Sequence, residues 1–355
     1  MSTDAAEPLP PLDDILDTAR VVALPLVTRF RGIDVREAVL FEGPEGWTEF
    51  SPFVEYDDAE AATWLAAAVD FGWMPQPAAR RDAISVNATV PAVAAAQVAA
   101  VLARFDGCRT AKVKVAEPGQ RLADDVERVR AVREAMGPEG RIRIDANGAW
   151  NVDEAEHAIH ALAEFDLEYA EQPCASVEEL AELRRRVKYM GIPIAADESV
   201  RKAADPLAVA RAGAADLVVI KAQPLGGVRR ALDIVAEAGL PAVVSSALDT
   251  SVGLSMGVAL AAALPPARLR LRTGHRLAAC GGRRRPVPRR AGRQARRGAG
   301  HGRARPPRRV RGARRAPRLV AGASGPVLRQ AQQPGLKLSG RAEAQRAGVK
   351  LSGRA

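Results

Sequence analysis

Charged side chains recur at the ends of β-like runs in this chain, at a nearly constant interval. Lys114, Asp145, Glu171, Asp197 and Lys221 are spaced 31, 26, 26 and 24 residues apart. Each step is the length of one strand–helix unit. The runs are ISVNATV, TAKVKV, RIRIDAN, LEYAEQP, IPIAADES, LVVIKAQ and PAVVSSA. Between them lie helical stretches such as DDVERVRAVREAM, NVDEAEHAIHALAEF and GVRRALDIVAEAG. Seven strands alternating with helices predict an α/β fold, a parallel sheet or (β/α) barrel, whose active-site groups stand at the C-terminal ends of the strands.

Side chains alternate across a strand. Lys112 and Lys114 therefore share one face of TAKVKV, and Arg143, Asp145 and Asn147 share one face of RIRIDAN. Barrel strands normally carry apolar residues on both faces. Charge placed there is costly unless it is paired or bound to a metal. Charges on four or five strands at barrel spacing thus predict one shared polar site. Taken singly the pieces are weak, because KxK is usually a solvated edge and DAN or DES can simply cap a helix.

Asp145, Glu171 and Asp197 offer three oxygen ligands, with no His or Cys at these strand ends. Such a set suits Mg²⁺, or a related cation such as Mn²⁺, better than zinc. A cation there can hold a substrate carboxylate and stabilise the charge left when its α-proton departs. The base must be a neighbouring group with a lowered pKa. A lysine beside other cations qualifies after a drop of roughly 3 units. Lys114 is best placed, with Lys112 tuning it. Lys221, on the far side of a barrel, is either a stabiliser of the enolate or a second base. Asn147 and Glu198 divide evenly between supporting and structural roles, and Ser245 and Ser246 are candidate carboxylate contacts. Asp249 reads as a cap for the helix after PAVVSSA, and Trp150 and Cys174 as packing.

Outside this rhythm lie two further regions. VVALPLVT, VREAVLFEG and TEFSPF read as strands and EYDDAEAATWLAAAVDFGW as a helix, a small α+β unit. The expected division is an α+β cap over residues 1–80, the barrel over 81–265 and a tail over 266–355. The tail holds 26 Lys and Arg against 1 acid, whereas the preceding residues hold 26 against 41. An acidic body thus precedes a strongly basic, Arg/Pro/Gly-rich segment that reads as disordered. AQQPGLKLSGRA recurs as AQRAGVKLSGRA at its end, two copies being too few for a solenoid.

AKVKV, IDANGAW, EYAEQP, IAADES and VVIKAQPLGG together resemble the enolase superfamily in its muconate-lactonising branch. The likeness covers roughly residues 21–265. It implies a modified (β/α)₇β TIM-like barrel with an N-terminal α+β capping domain. It also implies Mg²⁺ on Asp145, Glu171 and Asp197, and acid–base lysines Lys114 and Lys221. The passage ALPLVTRFRGIDVREAVLFEGPEGWTEFSPFVEYDDAEAATWL is most similar to the family of this branch that makes 2-succinylbenzoate for menaquinone. That implies a lyase performing syn dehydration, with Lys114 as base and then acid and Lys221 as a stabilising cation. Arg143 is then a weaker candidate substrate contact and residues 28–32 a lid. After Pro265 the family's eighth strand is expected, and basic sequence stands there instead, the composition that a shifted reading frame in GC-rich DNA yields.

Neighbouring members racemise N-acylamino acids or epimerise dipeptides with the same core residues, so these remain alternatives. So does an inactive remnant whose tail binds nucleic acid non-specifically through phosphates. The tail has no aromatic residue for stacking, so no specific nucleic-acid partner is expected. The expected partner is a small carboxylate substrate. Three cysteines without CxxC spacing, an acidic N-terminus and no apolar run of membrane-spanning length predict a cytoplasmic protein with neither a disulfide framework nor a membrane partner. The sequence gives no oligomeric state.

Overall fold

The computed structural model describes residues 9–30, 33–201, 205–265 and 318–319, with the side chains of 27–30, 201, 318 and 319 excepted. The basic tail and part of the loop at 28–32 therefore lie outside the described residues. The chain opens with α1 (Leu12–Thr18), which the sequence reading had not anticipated. A three-stranded antiparallel sheet follows, β1 (Arg20–Phe30), β2 (Ile33–Gly43) and β3 (Gly46–Phe50). Then comes α2 (Asp58–Trp73), started by the Asp57 side chain accepting from the Glu60 amide. Ile15, Phe41 and Ala68 join α1, the sheet and α2 in a small core of their own.

A short strand β4 (Ala83–Ile84) pairs with β12 (Arg318–Leu319). The main sheet is assembled from β5 (Ala88–Val90), β6 (Thr110–Lys114), β7 (Arg141–Asp145), β8 (Leu167–Glu171), β9 (Ile194–Ala196), β10 (Leu217–Ile220) and β11 (Ala242–Val244). All seven are parallel and lie in chain order, so every connection is a crossover. Among the described residues β5 and β11 form its two edges. The crossovers carry α3 (Val98–Leu102), α4 (Leu122–Met136), α5 (Val152–Leu162), α6 (Val177–Val187), α7 (Glu198–Arg201), α8 (Ala208–Arg211) and α9 (Val228–Ala238). After β11 comes α10 (Ser251–Ala263). No helix among the described residues is long and apolar enough to cross a membrane.

The alternation of side chains sorts the sheet into two faces. Val113, Ile142, Ile144, Ile194, Val218 and Ile220 are buried against the helices. The opposite face carries a smaller apolar group of Tyr169, Ala195, Leu217 and Val219. Each fully buried Ile contributes about 1.5–3 kcal/mol over an exposed one. A one-residue slip of any strand would exchange the faces, and this fixes the register.

That register aligns the strand ends. Lys114 pairs with Asp145, and Asp145 with Glu171. The backbone turns sharply just beyond. Ala116, Asn147 and Gln172, the residues after β6, β7 and β8, have φ of 59°, 50° and 38°. These are left-handed conformations that L residues adopt only where the surroundings hold them. Gly148 is tight as well, since a Cβ there would lie 3.2 Å from the Ala175 Cα.

Asp249 does not cap α10. Thr250 is the N-cap, its side chain accepting from the Val252 amide. Gly253 does not interrupt α10. It admits Glu49 of β3, whose carboxylate accepts from the Gly253 and Thr250 amides at 2.9 and 3.0 Å. A Cβ at Gly253 would stand 2.7 Å from the Glu49 carboxyl carbon. Glu49 also accepts from the Thr250 and Ser51 hydroxyls. This bond set ties the antiparallel sheet to the last helix of the barrel segment.

Candidate active site

Asp145, Glu171 and Asp197 are each at most 2% exposed, at the ends of β7, β8 and β9. Lys221, 6% exposed, follows β10. Buried charges must be paired, and these are. Lys112 Nζ donates to Glu171 Oε1 and meets Asp145 Oδ2, both at 2.9 Å. Lys114 Nζ donates to Asp145 Oδ2 at 2.7 Å and to Asn147 Oδ1 at 2.6 Å. Lys221 Nζ donates to both oxygens of Asp197. Asn147 in turn donates to Glu198 at 3.3 Å. Six of the residues singled out by sequence are thus joined on one side, through Lys112, Lys114, Asp145, Asn147, Glu171 and Glu198. The Lys221–Asp197 pair stands near enough for its charges to act on Glu171.

The electrostatics follow from burial set against neighbouring charge. Burial alone would raise Asp145, but Lys112 and Lys114 outweigh it and hold the carboxyl well below the usual range. Burial wins at Glu171 and pushes it up to about 7. Burial works to discharge Lys112, yet Glu171, Asp145 and Asp197 outweigh it and keep the ammonium charged. Lys112 is therefore a counter-ion of the carboxylates as well as a neighbour of Lys114.

The remaining candidates lie apart from this row. Arg143 Nε donates to Glu168 at 2.6 Å, and its guanidinium lies 4.9 Å from the Tyr169 ring centre. It sits one layer below Asp145 on the same strand face. Ser245 and Ser246 follow β11, with Ser245 bonded through its amide to the Ile220 carbonyl at 2.9 Å. Asp249 accepts from Gln223 at 3.0 Å and from the Ala247 amide, and burial beside Glu49 raises it to about 7. Cys174 is buried, and burial pushes its thiol up to about 12. Trp150 pairs with Cys174 in an isolated β-bridge.

The sequence reading missed Gln172. Fully buried, it accepts on Oε1 from the Asp197 and Ser199 amides at 2.9 and 3.2 Å and donates to Ser199 Oγ at 2.7 Å. It thereby locks the end of β9 to that of β8. A polar amide directly after a strand-end acid was the available signal.

Asp145, Glu171 and Asp197 present carboxylate oxygens alone, the chemistry of a hard cation. Glu171 Oε2 is buried without a hydrogen-bond partner, which is costly for an acceptor that nothing else satisfies. As they stand, no three acidic, His or Cys side chains among the described residues converge on one point, since Lys112 bridges two of the acids. The donors fit such an ion in their chemistry.

Residues 92–302 match the family described as enolase C-terminal domain-like, and residues 21–72 the one described as enolase N-terminal domain-like. An o-succinylbenzoate synthase of Mycolicibacterium smegmatis is 61% identical over 261 residues, covering 73% of this chain and 79% of that protein. One of Mycobacterium tuberculosis is 61% identical over 258 residues, covering 72% and 77%. In fold, the chain is similar to a dipeptide epimerase from Enterococcus faecalis solved with Mg and the dipeptide L-Leu-L-Tyr. That likeness has a TM-score of 0.53 and 23% identity over 69% of this chain and 86% of that one. The chain therefore belongs to the enolase superfamily, within the family of these o-succinylbenzoate synthases.

Proposed function

We propose that this chain is an o-succinylbenzoate synthase, a lyase of menaquinone biosynthesis. It dehydrates 2-succinyl-6-hydroxy-2,4-cyclohexadiene-1-carboxylate to 2-succinylbenzoate. The observation that carries this reading is the 61% identity to synthases of that name over 261 residues. The row of buried acids and lysines at the strand ends supports it, since α-proton removal needs a base beside concentrated positive charge. Residues 1–80 are then the cap and 81–265 the barrel segment.

Asp145, Glu171 and Asp197 would hold a divalent cation, Mg²⁺ first, which when bound supplies positive charge toward the substrate carboxylate. Lys114 Nζ takes the α-proton as the C–H bond breaks, and the electron pair delocalises into the carboxylate. Lys221, from the other side, offsets that charge. The pair then returns to form the ring double bond and expels hydroxide, which accepts the proton from Lys114 Nζ and leaves as water. Base and acid are one group, so both bonds break on one face of the ring and the elimination is syn. Lys112, held charged by the acids, adds to the local positive field, and Asn147 orients Lys114. Ser245 and Ser246 remain candidate contacts for the substrate's carboxylates.

The test is the purified full chain with the cyclohexadiene substrate and MgCl₂, following 2-succinylbenzoate by liquid chromatography and mass spectrometry. Product is expected with Mg²⁺ and none after chelation. A folded sample that yields no product with Mg²⁺ or Mn²⁺ overturns the reading. Exchange of the α-proton of N-acylamino acids, without dehydration, points instead to a racemase.

A further inference from the structure

Helix α4 carries two charges where its buried face should be apolar. Asp125 and Arg128 are 2% and 1% exposed, beside Val129 and Val132 on that face. A buried ion pair is a poor source of stability, because desolvation cancels much of the attraction. These two are distinguished by what else they bind. Arg128 Nε donates to the Val93 carbonyl at 2.6 Å, and Nη1 donates to the Lys114 carbonyl at 3.0 Å and to Asp125 Oδ1 at 2.6 Å. Nη2 donates to Gln120 Oε1, and Gln120 Nε2 donates to the Ala92 carbonyl at 2.8 Å. The other Asp125 oxygen, Oδ2, accepts from the Ala116 amide at 3.0 Å.

Among the described residues, the side-chain bonds of this pair outside α4 end on the segment following β5, on Lys114 at the end of β6 or on the loop that follows it. The residues gripped at β6 are Lys114 itself, the left-handed Ala116 and Gln120 of the same loop. A guanidinium has donors in a fixed planar fork, so it sets directions as well as distances. We infer that Arg128, locked by Asp125, is a positioning residue for Lys114: it fixes the backbone at the end of β6 so that the lysine enters the site at one angle. The inference rests on Lys114 being the base of the proposed reaction.

The experiment compares the full wild-type chain with Arg128→Met, Arg128→Lys and Gln120→Leu. The readouts are kcat, KM, the deuterium isotope effect with α-deuterated substrate, and amide hydrogen exchange at Val115 and Ala116 without substrate. For Arg128→Met we expect kcat to fall by about 10- to 100-fold, as for a catalytic group displaced by about 1 Å. KM should stay within about threefold, as expected when the loss falls on the transition state alone. The isotope effect should rise as proton removal becomes limiting, and exchange at both amides should quicken. Arg128→Lys should recover part of kcat. A purely structural role would lower the active fraction and leave the isotope effect where it was. If Arg128→Met does not fold, Gln120→Leu, which cuts one arm of the clamp, is read by the same measures. An active wild type whose folded variants keep kcat and isotope effect overturns the inference alone. A folded wild type that is inactive overturns the functional reading and the positioning role with it.

Discussion

Glu49 and Glu171 are both inaccessible carboxylates, and their surroundings differ in kind. Glu49 is met by neutral donors on both oxygens, from two backbone amides, two hydroxyls and the Gln223 side chain, at the start of a helix whose dipole favours negative charge. Glu171 has Lys112 on one oxygen and, among the described residues, no hydrogen-bond partner on the other. The first acid is finished by the fold, whereas the second is left open toward the strand ends. A buried carboxylate with its bonds complete holds structure, and one with an oxygen to spare carries a cost that the fold alone does not offset.

The comparison breaks hardest at the base. Lys114→Ala is expected to lower turnover about a thousandfold, the loss typical of a missing general base, while the melting temperature moves by only a few degrees. Steady-state kinetics beside calorimetry check this, and retained turnover would remove Lys114 from the mechanism. Next in size is Glu49→Ala, which strands the amides of Thr250 and Gly253. It should cost about 3 kcal/mol in chemical denaturation, with Glu49→Gln costing less because one acceptor oxygen survives.

Glu171→Gln should invert that outcome, with little loss of intrinsic stability but loss of stabilisation by MgCl₂. In the wild type this amounts to about 2.7 kcal/mol at a hundredfold excess over Kd. Equal thermal shifts with Mg²⁺ in both proteins would exclude Glu171 as a ligand. The smallest effect is expected at Asp249, raised to about 7 by burial and by Glu49. Its protonated form is the one the fold favours, so its contribution is complete below about pH 4 and is lost as pH rises through 7. Asp249→Asn keeps the acceptor for Gln223 and Ala247 and should flatten the stability profile between pH 5 and 8 by about 2.5 kcal/mol.

Much of this was legible in the sequence. All seven sheet strands fall within runs recognisable by short apolar character and a polar end, because a parallel sheet covered by helices admits little else. The site row was legible because charges on several such strands at barrel spacing are costly to bury unless they share one polar site. Asp125 and Arg128 were not, because in DDVERVRAVREAM two more charges look like a solvated helix face. Only their shared face with Val129 and Val132 marks them, and the pairing that makes burial tolerable is tertiary. Glu49 was hidden likewise, since its partners lie about 200 residues away. The cap of α10 was misplaced by one residue because Asp and Thr serve equally at an N-cap, and only geometry chooses between them. Helix α1 was passed over within the acidic N-terminus, because a single buried side chain, Ile15, gives it too little apolar pattern.

The left-handed residues just past β6, β7 and β8 set these lysines and acids against durability. Each such turn costs about 1 kcal/mol or more, less for Asn147. Glycine at Ala116 would relieve that strain, and selection for heat resistance would favour it, yet it would also let the adjoining Lys114 wander. Stability and turnover therefore compete at the peptide unit after β6, and variants evolved for heat resistance should lose activity there first.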